Sequence, residues 1–163
     1  MSALSAIVND AGETQTLEGS TILLGATPTI ALKADKEASG CQAEAMKHYN
    51  AILNKWLAEA NKAKKTALKG GKGGTPPAVG SGVQLATAID TVLDDNEQVV
   101  TTVTKASTGL TKKCTDAIVD ASFDCGGAAT VEALRLCVVA AAQAAACEAF
   151  EAADGLDLAC PAS

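Results

Sequence analysis

Six cysteines constrain this chain more than any other feature of its sequence. Their number is even, no two form a CxxC pair, and the chain has a single histidine, His48. Zinc sites usually bring their ligands in close pairs, so this spacing does not indicate a metal site. It predicts three disulfides in an oxidising compartment, made by Cys41, Cys114, Cys125, Cys137, Cys147 and Cys160. The alternative is a cytosolic helical bundle with six buried thiols.

The pairing of these cysteines is only partly restricted. Cys137 and Cys147 lie ten residues apart in one predicted helix, which separates them by about 15 Å along its axis. Disulfide Cα atoms lie within about 7 Å of each other, so each of the two must reach a different element. We expect bridges that join the last helix to its neighbours and the tail to the bundle. Fifteen pairings of six cysteines exist, and the sequence does not choose among them.

Composition predicts one domain with a core of small aliphatic side chains. The chain has 163 residues, which suits a single domain, and 48% of them are hydrophobic, but only 2% are aromatic. Small side chains favour close approach of helices. We therefore predict a mainly α fold, a disulfide-stapled bundle of three to four helices over residues 34–163.

The first predicted helix has the clearest pattern. Its apolar residues recur at steps of three and four along one face, which places Leu53 and Trp56 in the core. Ser39 and Gln42 fit a capping box at its start, and Gly70-Gly71 ends it before a Gly/Pro-rich linker at 70–80. The apolar face consists of Met46, Tyr49, Leu53, Trp56, Ala60, Ala63 and Ala67.

Two further helical blocks follow the linker. One begins at Ser81, with Gln84 completing a capping box, and its periodicity continues past Asn96 through a β-prone run at 99–104. Gly109 is a position where this block bends or divides. The last helix runs from about 128 to 153 through an alanine run and ends at Gly155.

The first 33 residues differ from the rest and predict an extended or β-hairpin arm. They are rich in Thr, Ser and β-branched residues, and two short strands are marginal on their own in water. Unpaired strand edges and apolar side chains need a partner surface. We expect this arm to dock on a neighbouring copy of the chain through Ile7, Val8, Ile22, Leu23 and Leu24.

Charge is unevenly distributed along a chain of net charge −6. Residues 33–72 hold nine lysines against four acids, whereas both ends are acidic. With one arginine and few aromatic side chains, we expect no nucleic-acid partner. The longest charge-free stretch in the C-terminal half, 136–147, is shorter than a membrane span, so we expect none. The first 15 residues lack a basic start followed by an apolar run, so an exported protein would be seen in its mature form.

No group of residues in the sequence indicates an enzyme, a cofactor or a metal site. His48 is placed on the polar, solvent-facing side of the first helix. We interpret the acidic run Asp94, Asp95 and Glu97 as a solvated face in mid-helix. The glycine-rich segment 70–75 lacks the spacing of a phosphate-binding loop. The pattern favours a structural function over catalysis.

The sequence thus predicts a self-associating, filament-capable structural subunit, with a location that is extracellular, at the cell surface or periplasmic. An alternative is a small exported carrier that holds an apolar ligand between its helices. A third interpretation is a cytosolic thiol-rich bundle that stores metal.

Overall fold

The structure, a computed structural model, describes residues 35–70, 77–94 and 96–160. The described residues form no strand and five helices, one more than the upper number predicted. The helices are α1 (Lys36–Lys69), α2 (Gly82–Asp94), α3 (Glu97–Lys113), α4 (Asp116–Ser122) and α5 (Val131–Asp154). The mainly helical class is therefore confirmed. The predicted arm lies outside the described residues, and so do its proposed contact residues Ile7, Val8, Ile22, Leu23 and Leu24.

Helix α1 is the central element of the bundle, because it contacts all four other helices. The apolar face predicted for it is confirmed: Leu53 and Trp56 are buried with 8% and 6% of their surface exposed. Trp56 meets Phe150 of α5 in an edge-to-face contact with ring centroids 6.3 Å apart. Lys64 lies 5.7 Å from the centroid of the same Phe150 ring and pairs with Asp154.

The start of α1 differs from the prediction. Asp35, not Ser39, is the N-cap, and its Oδ1 accepts a hydrogen bond of 3.0 Å from the Ala38 backbone N–H. The helix therefore begins one turn earlier, and Gln42 is buried inside it. Its side-chain amide donates to the Ser122 carbonyl at 3.3 Å, which ties α1 to the end of α4. At the other end, Gly70 caps the helix as predicted.

The second block is three helices, which corrects the prediction of one element continuing past Asn96. Asn96 is an N-cap: its Oδ1 accepts from the Gln98 and Val99 backbone N–H groups at 3.0 and 3.1 Å. The next break comes at Cys114 and Thr115, and Gly109 lies inside α3. The Ser81 cap of α2 is present, because Ser81 Oγ accepts from the Gln84 N–H at 3.3 Å. The apolar periodicity continues across both breaks, so it did not indicate where one helix ends and the next begins.

Helix α5 is an alanine-rich helix covered on several sides. It contacts α1, α3 and α4, and it buries five alanines between 141 and 146. Gly155 ends it as predicted, with a left-handed φ of 62° that a side chain would disfavour. By length and composition α5 is long and apolar enough to cross a membrane. The charge-free stretch 136–147 is shorter than the helix and therefore underestimated its apolar length. Half of that apolar window is buried within the bundle, as in the core helix of a globular protein.

All six cysteines are paired, so the three predicted disulfides are present. Cys41–Cys114 joins the start of α1 to the end of α3, Cys125–Cys137 joins the turn before α5 to that helix, and Cys147–Cys160 joins α5 to the tail. Cys137 and Cys147 indeed reach different elements. With no free cysteine, this structure offers no thiol ligand to a metal ion. Intramolecular disulfides are consistent with an oxidising compartment.

Candidate binding groove between α1 and α3

An open groove of about 580 Å³ runs between α1 and α3, and we call it the α1/α3 groove. From α1 it is lined by Glu44, Lys47, His48 and Ala51, which recur at the three- and four-residue steps of one helix face. From α3 it is lined by Thr102, Thr104, Lys105, Thr108, Gly109 and Lys112. The Cys41–Cys114 disulfide lies close to one end, so the two helices that form the walls are covalently joined.

His48 is a buried member of this groove, which corrects its predicted place on the solvent-facing side of α1. Its side chain is more than nine-tenths buried. Position 48 lies three and seven residues after the core residues Ala45 and Cys41, so it borders the buried face of the helix. The sequence pattern did not show that α3 would cover this border.

The Nε2 atom of His48 has no hydrogen-bond partner among the described residues. Glu44 Oε1 lies 2.8 Å away and is the charged neighbour of this atom. The Nε2 atom has almost no accessible surface, because Glu44 and the α3 backbone at Gly109 enclose it. A buried polar atom without a hydrogen bond is costly, and the nearby Glu44 carboxylate offsets that cost.

Gly109 makes room for this arrangement. A Cβ atom at position 109 would overlap His48 Nε2 and would lie 2.7 Å from Glu44 Oε1. The glycine in the middle of α3 therefore permits close approach of the two helices, where sequence analysis had placed a bend. Glycine at a helix interior costs about 1 kcal/mol relative to alanine. At position 109 the glycine leaves the space in which His48 is buried at the base of the groove.

Glu44 and Lys47 form an ion pair at one side of the groove. The Lys47 ammonium donates a hydrogen bond of 2.8 Å to Glu44 Oε1. This hydrogen bond is the largest influence on the pKa of Glu44, and it lowers that pKa although partial burial opposes it. The Glu44 carboxylate is thus held in its charged form beside His48, and its charge is offset by Lys47.

Two lysines of α3 have no such partner. Lys105 and Lys112 line the groove and make no ion pair within the described part of the chain. The groove therefore holds three ammonium groups against one carboxylate. A neighbouring groove of about 410 Å³ shares Lys112 and adds Lys36, Lys113 and the acidic Glu37. The seam between α1 and α3 is consequently basic on a protein of net charge −6.

The threonines of α3 contribute mostly apolar surface to the groove. Their hydroxyl groups donate to backbone carbonyls one turn earlier: Thr102 to Gln98, Thr104 to Val100 and Thr108 to Thr104, at 2.8, 3.0 and 3.2 Å. The hydroxyl hydrogens are therefore used within α3. The donors left for a ligand are the ammonium groups, while the threonine methyl groups and Ala51 offer apolar contacts.

Comparison with protein-family models, with curated proteins and with solved structures found no match to this chain. The functional evidence is therefore the geometry of the chain itself.

The acidic residues singled out in the sequence do not lie in mid-helix. Asp94 ends α2 and Glu97 begins α3, while Asp95 and the side chain of Asp94 lie outside the described residues. Within the described ranges, no three His, Cys, Asp or Glu side chains are grouped as they would be to hold a metal ion.

Two features of the sequence are consistent with the groove, although the sequence alone did not predict it. Positions 44, 47, 48 and 51 share one helical spacing, and positions 105, 108, 109 and 112 repeat it. The second series contains a helix-interior glycine, which often marks close packing. Their facing arrangement depends on the Cys41–Cys114 pairing, which the sequence left open.

Proposed function

We propose that this chain is an exported, disulfide-stapled binding protein that holds a small molecule in the α1/α3 groove. The observation that carries the proposal is the open groove of about 580 Å³ between α1 and α3, whose two walls are joined by the Cys41–Cys114 disulfide. This version of the carrier hypothesis places the ligand at the surface between two helices, not within the bundle core. The three disulfides support export, because such bonds persist in oxidising compartments.

Filling the groove should abolish binding without unfolding the protein. Ala51 is exposed on α1 and lines the groove, so Ala51→Phe places a ring in the ligand's space. We expect this variant to bind a fluorescent naphthylamine probe at least about tenfold more weakly than the native chain. The probe is used as a matched pair, neutral N-phenyl-1-naphthylamine and its anionic sulfonate, 1-anilinonaphthalene-8-sulfonate. Titrations of probe emission give the dissociation constants.

Ala43→Phe is the matched control, because Ala43 is exposed on the same helix but does not line the groove. This control should bind both probes as the native chain does. Far-UV circular dichroism checks that both variants remain folded. If neither probe binds the native chain, or if Ala51→Phe and Ala43→Phe bind equally, the α1/α3 groove is not a binding site.

A second candidate function is the self-associating structural subunit, with the arm 1–33 docking on a neighbouring copy. The supporting observation is that all three disulfides join residues between 41 and 160, so none ties the arm to its own subunit. Apolar strand edges that are free to meet a second molecule are a recurrent mode of protein assembly.

Deleting residues 1–26 should then leave the bundle folded but end its self-association. The expected result is a monomer in sedimentation with the helical dichroism of the full chain, since the staples survive the deletion. Assembly that persists in the truncated protein would contradict docking by the arm. Loss of helicity would show instead that the arm belongs to the core of its own subunit.

A further inference from the structure

We infer that the ligand of the α1/α3 groove is a small organic anion with an apolar body, whose charged group is bound by Lys105 and Lys112. This inference rests on the proposed binding function and names the chemical class of the ligand. Carboxylates, sulfonates and phosphate monoesters share this chemistry, since each offers several acceptor oxygens to ammonium donors.

The electrostatics of the groove favour an anion over a neutral or cationic molecule. Glu44, the carboxylate lining the groove, already accepts a hydrogen bond from Lys47. Lys105 and Lys112 keep their charges unpaired within the described residues, and Lys36 and Lys113 line the adjoining groove. An anion in the groove would be attracted by these lysine charges, whereas a cation would be repelled by them.

The hydrogen-bond donors that line the groove also favour an anionic ligand. The threonine hydroxyl groups of α3 donate within their own helix, so the side-chain donors that remain in the groove are ammonium groups. Hydrogen bonds from charged donors to anionic acceptors are about twice as strong as neutral ones.

The apolar part of the ligand follows from the remaining lining. Ala51, the threonine methyl groups and the bare Cα of Gly109 offer no further donors. A bare inorganic ion would leave this apolar surface in contact with water. We therefore expect octanoate to displace the bound probe. Octanol or inorganic phosphate at the same concentration should not displace it. Equal displacement by inorganic phosphate would show that the site recognises charge alone, which contradicts the apolar body.

The two naphthylamine probes test the charge preference directly, because they differ by one sulfonate group. We expect the sulfonate to bind the native chain at least about tenfold more tightly than the neutral probe at low salt. The variant Lys105→Gln/Lys112→Gln should reduce this preference to about twofold or less while keeping its affinity for the neutral probe. Raising NaCl from about 0.1 M to about 1 M shortens the screening length from about 10 Å to about 3 Å and should also weaken the preference.

Lys65→Gln/Lys69→Gln is the matched control, since it removes two exposed lysines of α1 that do not line the groove. Both double variants change the net charge equally, so an effect of overall charge would appear in both. The preference should survive in the control. If the preference falls equally in both variants, the sulfonate is attracted by the overall charge of the protein, and the assignment to Lys105 and Lys112 is wrong.

His48 supplies an independent spectroscopic readout, because it is the one histidine of the chain. Its ring ¹H–¹³C signals therefore need no assignment by mutation, and saturating sulfonate probe should shift them. Unchanged His48 signals would remove this residue from the site. If both probes bind equally and Ala51→Phe blocks both, the binding function stands and the anion inference is overturned. If Ala51→Phe blocks neither probe, the binding function itself fails.

Discussion

Replacing Cys41 and Cys114 together by alanine should lower the free energy of unfolding by about 4 kcal/mol, the largest loss among the three disulfides. These cysteines are 73 residues apart in sequence, whereas the other two pairs are 12 and 13 apart. A cross-link that closes a longer loop removes more conformational entropy from the unfolded chain, and short loops of this size correspond to about 3 kcal/mol. Cys41 is also fully buried, so alanine leaves a small void there.

Urea unfolding of the Cys41→Ala/Cys114→Ala and Cys125→Ala/Cys137→Ala variants provides the comparison. The second variant is the matched control, because it removes one disulfide with a short loop. We expect the first variant to lose more stability and also to bind the probes less tightly, since the staple joins the two walls of the α1/α3 groove. Equal losses of stability would contradict an entropic origin of the difference.

Leu53→Ala should cost roughly 2–5 kcal/mol of unfolding free energy, as expected for a buried leucine whose surroundings cannot collapse. Leu53 is 8% exposed on α1, the helix that contacts all four others, so a void there weakens the centre of the bundle. Leu68→Ala is the control on the same helix, because Leu68 is 51% exposed and should lose less than about 0.5 kcal/mol. Similar losses at the two positions would mean that exposure does not govern their contributions.

Local chemistry made much of α1 and α5 predictable from sequence. The apolar face of α1 is defined by spacing alone, and the glycines at 70 and 155 end their helices because each adopts a positive φ. The start of α1 was harder, since Asp35 and Ser39 both resemble N-caps and lie one turn apart. Gln42, the expected second half of the Ser39 box, instead bonds to Ser122 across the bundle. A distant partner therefore decided between two local signals.

The groove could not be assembled from sequence, because its parts lie on two helices whose pairing is a tertiary feature. His48 follows a core position by three residues, and only the presence of α3 makes it buried. Gly109 was interpreted as a bend because a glycine inside a helix has several physical explanations. The break at Asn96 was missed for a related reason: Val99 resumes the apolar periodicity directly after the cap.

Trp56 gives the protein a natural optical reporter. It is the single tryptophan of the chain, and its ring meets Phe150 where α1 crosses α5. Emission excited at tryptophan wavelengths therefore follows the hydration of one helix crossing, whereas far-UV dichroism sums over every helix. Denaturation curves recorded by the two signals are thus independent, and their coincidence or separation distinguishes a chain that melts as one cooperative unit from one whose outlying helices α2 and α4 detach first.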